Sequence, residues 1–485
     1  MRSPLSGMTL LMAWVLSPSV AMAAPRPSSP TSEETQETLY LRADRVFVRP
    51  GVVLENAAVL VSKGRISAVG KDLAKPDGAR ELAAKVLCAG FIDSWGALGA
   101  GADSLNDAGT TPASRAADGL DPYSYEHLRK ETLRAGITTV RVQSGATARV
   151  SGLGALVRVA AEHTLEQSLV APESTLAMSV GLSANAPSQN QGFDFVDGQI
   201  VPRAPAGRGM DPFDRQADVD RVTAAVESGR NYLISKNEYK HELAEWQKKI
   251  AEKETELDKE FKKAKKDREK EEKDAKEKGK KFEEKKYKED KKPQAPRYDE
   301  DSEALARVAN GDLPLIVQVH RHAELRGLLA GTKKQDRLRL ILAGATDAPS
   351  FASELVTRGV PVILAPALHG KGAADELDGA DLELPARLDR AGVTVLFGSG
   401  GVDPAASRDL PLLVQMSIGH GLDREAAFEA LTLGAARALD VADRVGSVER
   451  GKDADLLLLD GDPLTSGGSV RYVISAGRLV LSPEE

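Results

Sequence analysis

Cysteine is almost missing: the 485-residue chain has one, Cys88. A lone cysteine excludes an internal disulfide and any Cys-rich zinc site. Aromatic residues make up only 4% of the chain, too few for the stacking platforms that hold single-stranded nucleic acid. Neither sign of charge dominates, with 65 basic against 72 acidic residues. That balance carries no nucleic-acid footprint. What the chain does have is 41% apolar residues, enough for a sizeable core in about two to four domains.

The amino-terminus is expected to be an address. Arg2 gives a positive start, residues 8–16 form a short apolar run, and Ala21-Met22-Ala23 offers a small-x-small cleavage pattern. The run is shorter than the ~20 residues of a membrane span. A signal peptide over residues 1–23, cleaved after Ala23, predicts a periplasmic or secreted protein with no transmembrane segment in its mature form. Residues 24–38 are rich in Pro, Ser and Thr and read as a flexible leader.

Both ends of the mature chain read as short strands and tight turns. Residues 39–43, 45–48, 57–62 and 65–69 are strand-like, with Lys63-Gly64 as a hairpin turn. Residues 454–459, 470–475 and 478–481 repeat the style around Ala476-Gly477. Neither end can bury a good core alone, so one small composite β-sandwich built from both is expected. Between them, strand-like runs at 137–142, 314–319, 337–342, 359–365 and 392–397 are separated by helix-length segments. Such spacing demands crossover connections and a parallel sheet. The fold class is therefore α/β, a (β/α)8 TIM-type barrel, with an open doubly wound sheet as the alternative. No Gly-x-Gly-x-x-Gly follows a first strand, which argues against a dinucleotide site.

One stretch breaks this alternation. In residues 248–292, 35 of 45 residues are charged, 20 basic and 15 acidic, which leaves a net −12 on the rest of the chain. Leu243, Trp246, Ile250, Leu257, Phe261 and Ala264 trace one helical stripe. The expectation is a charged helical insertion at about 245–292, either simply solvated or a docking arm for a protein partner. Its mixed charge does not suit nucleic acid.

Several phrases together resemble the amidohydrolase superfamily, in particular its imidazolonepropionase-like branch. Gly90-Phe91-Ile92-Asp93 resembles the family's first barrel strand, and Ala135-Gly136-Ile137-Thr138-Thr139-Val140 its second. Leu431-Thr432 through Leu439 resembles its last helix. Gly446 through Asp455 and Asp460-Gly461-Asp462-Pro463 resemble its return into the small domain. The resemblance implies a composite β-sandwich at 39–88 plus 440–485 and a barrel at 89–439. It further implies hydrolysis of non-peptide carbon–nitrogen bonds by water on a divalent metal such as zinc, held at the strand C-termini.

The positions that the resemblance assigns to metal ligands carry other residues. The first-strand His-x-His falls on Trp95 and Ala97, the strand-five histidine on Gln318, the strand-six histidine on Ala343, and the strand-eight aspartate on Gly400. For a bridging lysine, Lys236 is merely nearby. The ligand-type residues left are His320, His322 and Asp403. On a strand, His320 and His322 would share one face and form a two-ligand clamp, although two ligands alone do not make a catalytic site. Asp403 precedes Pro404 and also reads as a helix start signal. His369 and His420 have no partner at ligand spacing, and His127, His163 and His241 fall in helical segments. Gly145, Gly152 and Gly154 read as a turn-rich loop after the second strand. Cys88 reads as a small buried hydrophobe, Asp93 as a hydrogen-bonding residue, and Trp95 as a plug where a metal would sit. Ser399 lacks the Gly-x-Ser-x-Gly elbow of a nucleophile.

Three functional readings follow. In the first, the metal site is erased, no cofactor is held, and the barrel mouth binds a small molecule or partner with little or no turnover. In the second, a rearranged hydrolase uses His320, His322 and Asp403 with a divalent metal. In the third, the charged helix docks a partner.

Overall fold

The computed structural model describes residues 37–99, 110–121, 123–144, 148–160, 164–181, 193–196, 199–202, 212–278, 291–366 and 381–483. The expected signal and most of the leader lie outside them. The two chain ends build one sheet. β1 (Leu39–Arg49), β2 (Val52–Ser62), β3 (Arg65–Gly70) and β4 (Arg80–Ala89) come from the N-terminal side. β15 (Leu456–Leu459), β16 (Val470–Ser475) and β17 (Arg478–Leu481) come from the C-terminal side. The seven strands run in the order β17-β16-β15-β4-β1-β2-β3.

The join between the two halves is β4, which pairs parallel with β1 and antiparallel with β15. Its period of two divides its side chains. Leu87 and Ala89 enter the apolar core of this sheet, while Val86 and Cys88 enter the core of the barrel beside it. The two hairpin turns have positive φ at both central residues, Lys63-Gly64 (51° and 76°) and Ala476-Gly477 (47° and 78°), as the right-handed strand twist demands. Their tips meet. A Cβ on Gly477 would lie 2.4 Å from the Gly64 Cα, so that contact admits no side chain.

The second sheet is an eight-stranded barrel. Its strands are β5 (Phe91–Asp93), β6 (Ile137–Val142), β7 (Val150–Arg158), β8 (Leu169–Ser179), β11 (Leu315–Val319), β12 (Leu340–Gly344), β13 (Val362–Leu364) and β14 (Val395–Phe397), adjacent in that order. Ser94 N–H donates to the Phe397 carbonyl at 3.0 Å and Gly400 N–H to the Trp95 carbonyl at 2.9 Å, joining the two edge strands. One strand departs from the all-parallel expectation: β7 is antiparallel to both β6 and β8. Its flanking connections are too short for crossover helices. Gly152 and Gly154 thus belong to this strand, not to a loop, while Gly145 lies outside the described residues. Ile92, Leu156, Ala177, Ile316, Ile341, Ile363 and Leu396 fill the interior, one from each strand but β6, together with Ala435, Ala436 and Leu439.

The flanking helices are α1 (Glu126–Arg134), α2 (Leu165–Ser168), α3 (Pro212–Lys278), α4 (Glu300–Asn310), α5 (His322–Thr332), α6 (Ala352–Arg358), α7 (Leu384–Arg390), α8 (Ala406–Gly419), α9 (Arg424–Leu431) and α10 (Leu433–Ala438). A short hairpin, β9 (Phe193–Val196) with β10 (Gln199–Pro202), precedes α3. The 67 residues of α3 span roughly 100 Å at ~1.5 Å per residue. The helix thus starts well before the charged segment. Val219, Val222 and Val226 are buried in the barrel core with Leu305 and Leu328, so the helix begins as a barrel element and runs on. Leu243, Trp246 and Ile250 are half-buried; the side chains of Leu257, Phe261 and Ala264 lie outside the description. Among the described residues, no helix is long and apolar enough to cross a membrane.

A buried ion cluster ties the returning C-terminus to the barrel. The Arg158 guanidinium, on β7, donates to Asp455 at 3.1 and 3.2 Å and to Asp453 at 2.6 Å. Arg444 reaches Asp453 at 2.6 Å, and Ser475 Oγ and Ala476 N–H complete the Asp455 shell. Breaking such a cluster on one side strands buried charge. Arg158→Met is expected to cost about 3–5 kcal/mol, read as a lower denaturant midpoint. A midpoint within error of wild type would show that the cluster does not hold the two sheets together.

Candidate functional site at the barrel mouth

The C-terminal ends of the parallel strands are where barrel enzymes carry their chemistry. At β5, Asp93 is fully buried. Its Oδ1 accepts the backbone N–H groups of Trp95 and Ser399, each at 3.0 Å. Its Oδ2 accepts the hydroxyls of Ser399 and Ser407 at 2.6 and 2.7 Å. Burial pushes the Asp93 carboxyl above the usual range, and these four donors pull against that rise. The residue locks β5 to the loop after β14 and to α8. The Ser399 hydroxyl is engaged in this lock.

Trp95 is 4% exposed and packs in the barrel interior with Ile341, Ala343 and Leu396. A Cβ on Gly401 would lie 2.4 Å from its indole Nε1, so the glycine-rich loop after β14 closes tightly over the ring. Trp95 and Gly400 are also joined by the backbone hydrogen bond at the barrel seam. Two positions matched to family ligands are thus brought together, with an indole and a glycine between them. Ala97 and Ala343 present only buried methyl groups. Gln318 accepts the Ser179 hydroxyl at 3.3 Å.

The histidine clamp does not form on one strand face. β11 ends at Val319, and Glu324 Oε2 accepts the Arg321 N–H at 3.2 Å, turning the chain into α5 at His322. His320 Nδ1 stands 3.0 Å from Thr346 Oγ1. The His322 ring instead packs on Phe351, with centroids 4.6 Å apart, and its backbone N–H donates to Asp347. Asp403 is exposed, and its Oδ1 accepts the Ala405 N–H at 2.9 Å, opening the turn into α8. Lys236 lies on α3 and pairs with Glu303 at 2.6 Å. His127 and His241 face Glu131 and Glu245 on their own helices, and His420 ends α8. His163 and His369 lie outside the described residues. Burial pushes the Cys88 thiol up, away from nucleophilic thiolate.

The residue that the sequence reading passed over is Arg141, next to last in β6 and fully buried. Its Nε and Nη2 donate to Thr175 Oγ1 at 3.1 and 2.9 Å, and its Nη1 donates to Gln143 Oε1. A Cβ on Gly154 would fall 2.6 Å from Nη2, so the glycine of the reversed strand makes room for the guanidinium. Burial lowers the Arg141 pKa to about 9, against a partial restoring pull from Asp93, so the group is cationic at neutral pH. The signal available was a single charge inside the otherwise uncharged run 137–142.

A divalent metal does not fit this donor set. Among the described residues the mouth offers hydroxyls, amides and His320 as donors, plus a fixed cation that repels a dication at low dielectric. Among the described residues, no group of three or more His, Cys, Asp or Glu side chains can hold a metal ion.

A sequence model of the amidohydrolase family matches residues 379–480. No curated protein matches the chain. The fold is shared with solved structures. One is an amidohydrolase from Thermotoga maritima, 21% identical, with a TM-score of 0.66 over 92% of this chain and all of that one. Another is ochratoxinase from A. niger, 16% identical, with a TM-score of 0.50 over 92% of this chain and 96% of that one. At these identities the likeness establishes the fold.

Two outcomes check this geometry. Trp95→Ala is expected to lose about 3–5 kcal/mol of stability through the cavity it opens, measured by denaturation; a neutral effect would place the indole outside the packed interior. Asp93 supplies a pH test. Its raised pKa means the folded state keeps the proton to higher pH than the unfolded state, so its contribution is lost as pH rises. The stability of wild type relative to Asp93→Asn is expected to fall as pH rises above the ordinary carboxylate value near ~4. A gap that widens over that range contradicts the assignment.

Proposed function

We propose that this chain is an amidohydrolase-superfamily barrel that has exchanged its metal centre for a fixed cation. It acts as a small-molecule binding protein with little or no metal-dependent hydrolysis, exported to the periplasm or beyond. The observation that carries this reading is the juxtaposition at the strand ends. Trp95, Ala97, Gln318, Ala343 and Gly400, the positions that the sequence resemblance matches to ligands, carry no metal-binding imidazole or carboxylate, and the Arg141 guanidinium lies buried on β6 beside Thr175. The family match at 379–480 and the fold shared with the Thermotoga maritima amidohydrolase support the descent. The Gly90-Phe91-Ile92-Asp93 phrase supports the imidazolonepropionase-like branch.

Hydrolysis of an unactivated carbon–nitrogen bond requires a nucleophile stronger than neutral water. Nothing in the described mouth generates one. Asp93 is saturated by four donors, and His320 is engaged with Thr346. What the site can do is hold a ligand by hydrogen bonds and charge.

Elemental mass spectrometry on protein purified without a chelating tag tests the proposal. The expected result is folded protein with far less than stoichiometric zinc, manganese, iron or nickel, and an unfolding temperature that a chelator does not move. Near-stoichiometric metal that vanishes when His320 and His322 are both changed to Ala would establish the rearranged hydrolase instead. Turnover of blocked dipeptides or cyclic amides by the loaded protein would then follow.

A further inference from the structure

Three arginines are buried among the described residues, and two are fully explained. Arg129 gives its guanidinium to three backbone carbonyls, of Ser124, Asp121 and Val159, at 2.8, 2.9 and 3.0 Å. Arg158 has Asp453 and Asp455. Arg141 has neither kind of partner: its hydrogen bonds go to one threonine hydroxyl and one glutamine amide oxygen. The carboxylate that acts on it electrostatically, Asp93, is already held by four other donors.

A buried cation facing neutral acceptors costs stability unless something returns that cost. Its surroundings carry spare polar capacity as well. The Ser94 and Thr139 hydroxyls are buried and make no hydrogen bond within the described structure. Thr139 lies two residues before Arg141 on β6, hence on the same face of the strand. Ser94 follows β5, in which Asp93 is registered against Val140, so it lies beside Arg141 in the neighbouring chain. Gln143, the acceptor on Nη1, stands just past the end of β6, on the mouth side of the guanidinium.

We infer that Arg141 anchors the carboxylate of a small monoanionic ligand at the barrel mouth, the carboxylate taking the place of the Gln143 amide oxygen. A planar guanidinium offers two parallel N–H donors that match a carboxylate. A single positive charge matches a monoanion. Exchanging a neutral acceptor for a charged one strengthens the bond. Thr175 then keeps the guanidinium aimed, while the Ser94 hydroxyl, level with Arg141 on the neighbouring strand, offers the ligand a further hydrogen bond.

Acetate, with acetamide as its neutral isostere, tests the inference at constant ionic strength on the intact protein. Acetate is expected to raise the unfolding temperature in a saturable way, and acetamide is not. Arg141→Met is expected to be as stable as wild type or more so without ligand, and to weaken acetate binding by about tenfold or more. Gln143→Ala, which removes the competing acceptor, is expected to tighten it. The inference is overturned if acetate and acetamide act alike or neither acts, if chloride reproduces the acetate effect, or if Arg141→Met responds to acetate as wild type does. The comparison on wild type stands even if a variant fails to fold. The inference rests on the metal-free reading of the mouth. Stoichiometric metal would remove both, whereas metal-free protein indifferent to acetate would remove this inference alone.

Discussion

The pairing of Arg158 with Asp453 and Asp455 is the constraint on which the architecture hangs. Charge at those depths is tolerated only when every partner is present, and here the partners come from opposite ends of the fold. Arg158 ends the reversed strand β7, and the two aspartates lie just before β15, where the chain returns to the sheet it started. The cluster therefore couples the formation of the composite sheet to the placement of β7. That placement matters at the mouth, because β7 carries Gly154, and only a glycine leaves room for the Arg141 guanidinium above it.

A barrel interior must be apolar to pack and yet meets solvent chemistry at its mouth. In this chain the interior is closed by isoleucines, leucines and small residues, and Trp95 extends that apolar filling up to the strand ends. Of the polar groups that remain, Ser179 pairs with Gln318 and His320 with Thr346, while the Ser94 and Thr139 hydroxyls make no hydrogen bond among the described residues. Against that background Arg141 is, among the described residues, the one buried arginine whose hydrogen bonds go to neither a carboxylate nor a backbone carbonyl. A metal centre would need carboxylates and imidazoles aimed at one point. Among the described residues no such set converges, and Asp93 serves as a structural lock between β5, the loop after β14 and α8.

Much of the composite sheet was legible because its signals are local. Lys63-Gly64 and Ala476-Gly477 announce tight hairpin turns, and the strands 470–475 and 478–481 have the bounds that alternation predicted. The join β4 was not separately legible, because its second half is buried on both faces and loses the alternating pattern. β7 and β8 were obscured for a different reason. Gly152 and Gly154 look like turn residues, and their presence in a strand reflects close neighbours (the Ser114 carbonyl and Arg141) that lie far away in sequence. The helical stripe from Leu243 was legible, but not that the helix starts at Pro212, since Val219, Val222 and Val226 owe their burial to packing on α4 and α5.

Sequence alone announced the barrel-plus-composite-sheet plan, because repeated strand spacing and hairpin turns are properties of contiguous chain. It also showed that Trp95, Ala97 and Gly400 cannot ligate a metal, which is simple side-chain chemistry. Tertiary structure decided the rest. It separated His320 from His322 by ending a strand at Val319, reversed β7, and turned Asp93 into a lock. It also buried Arg141 beside Thr175, a partner 34 positions away. The physical reason is that hydrogen-bond partners and burial are set by which strands lie side by side, and that adjacency is fixed only when the sheet closes.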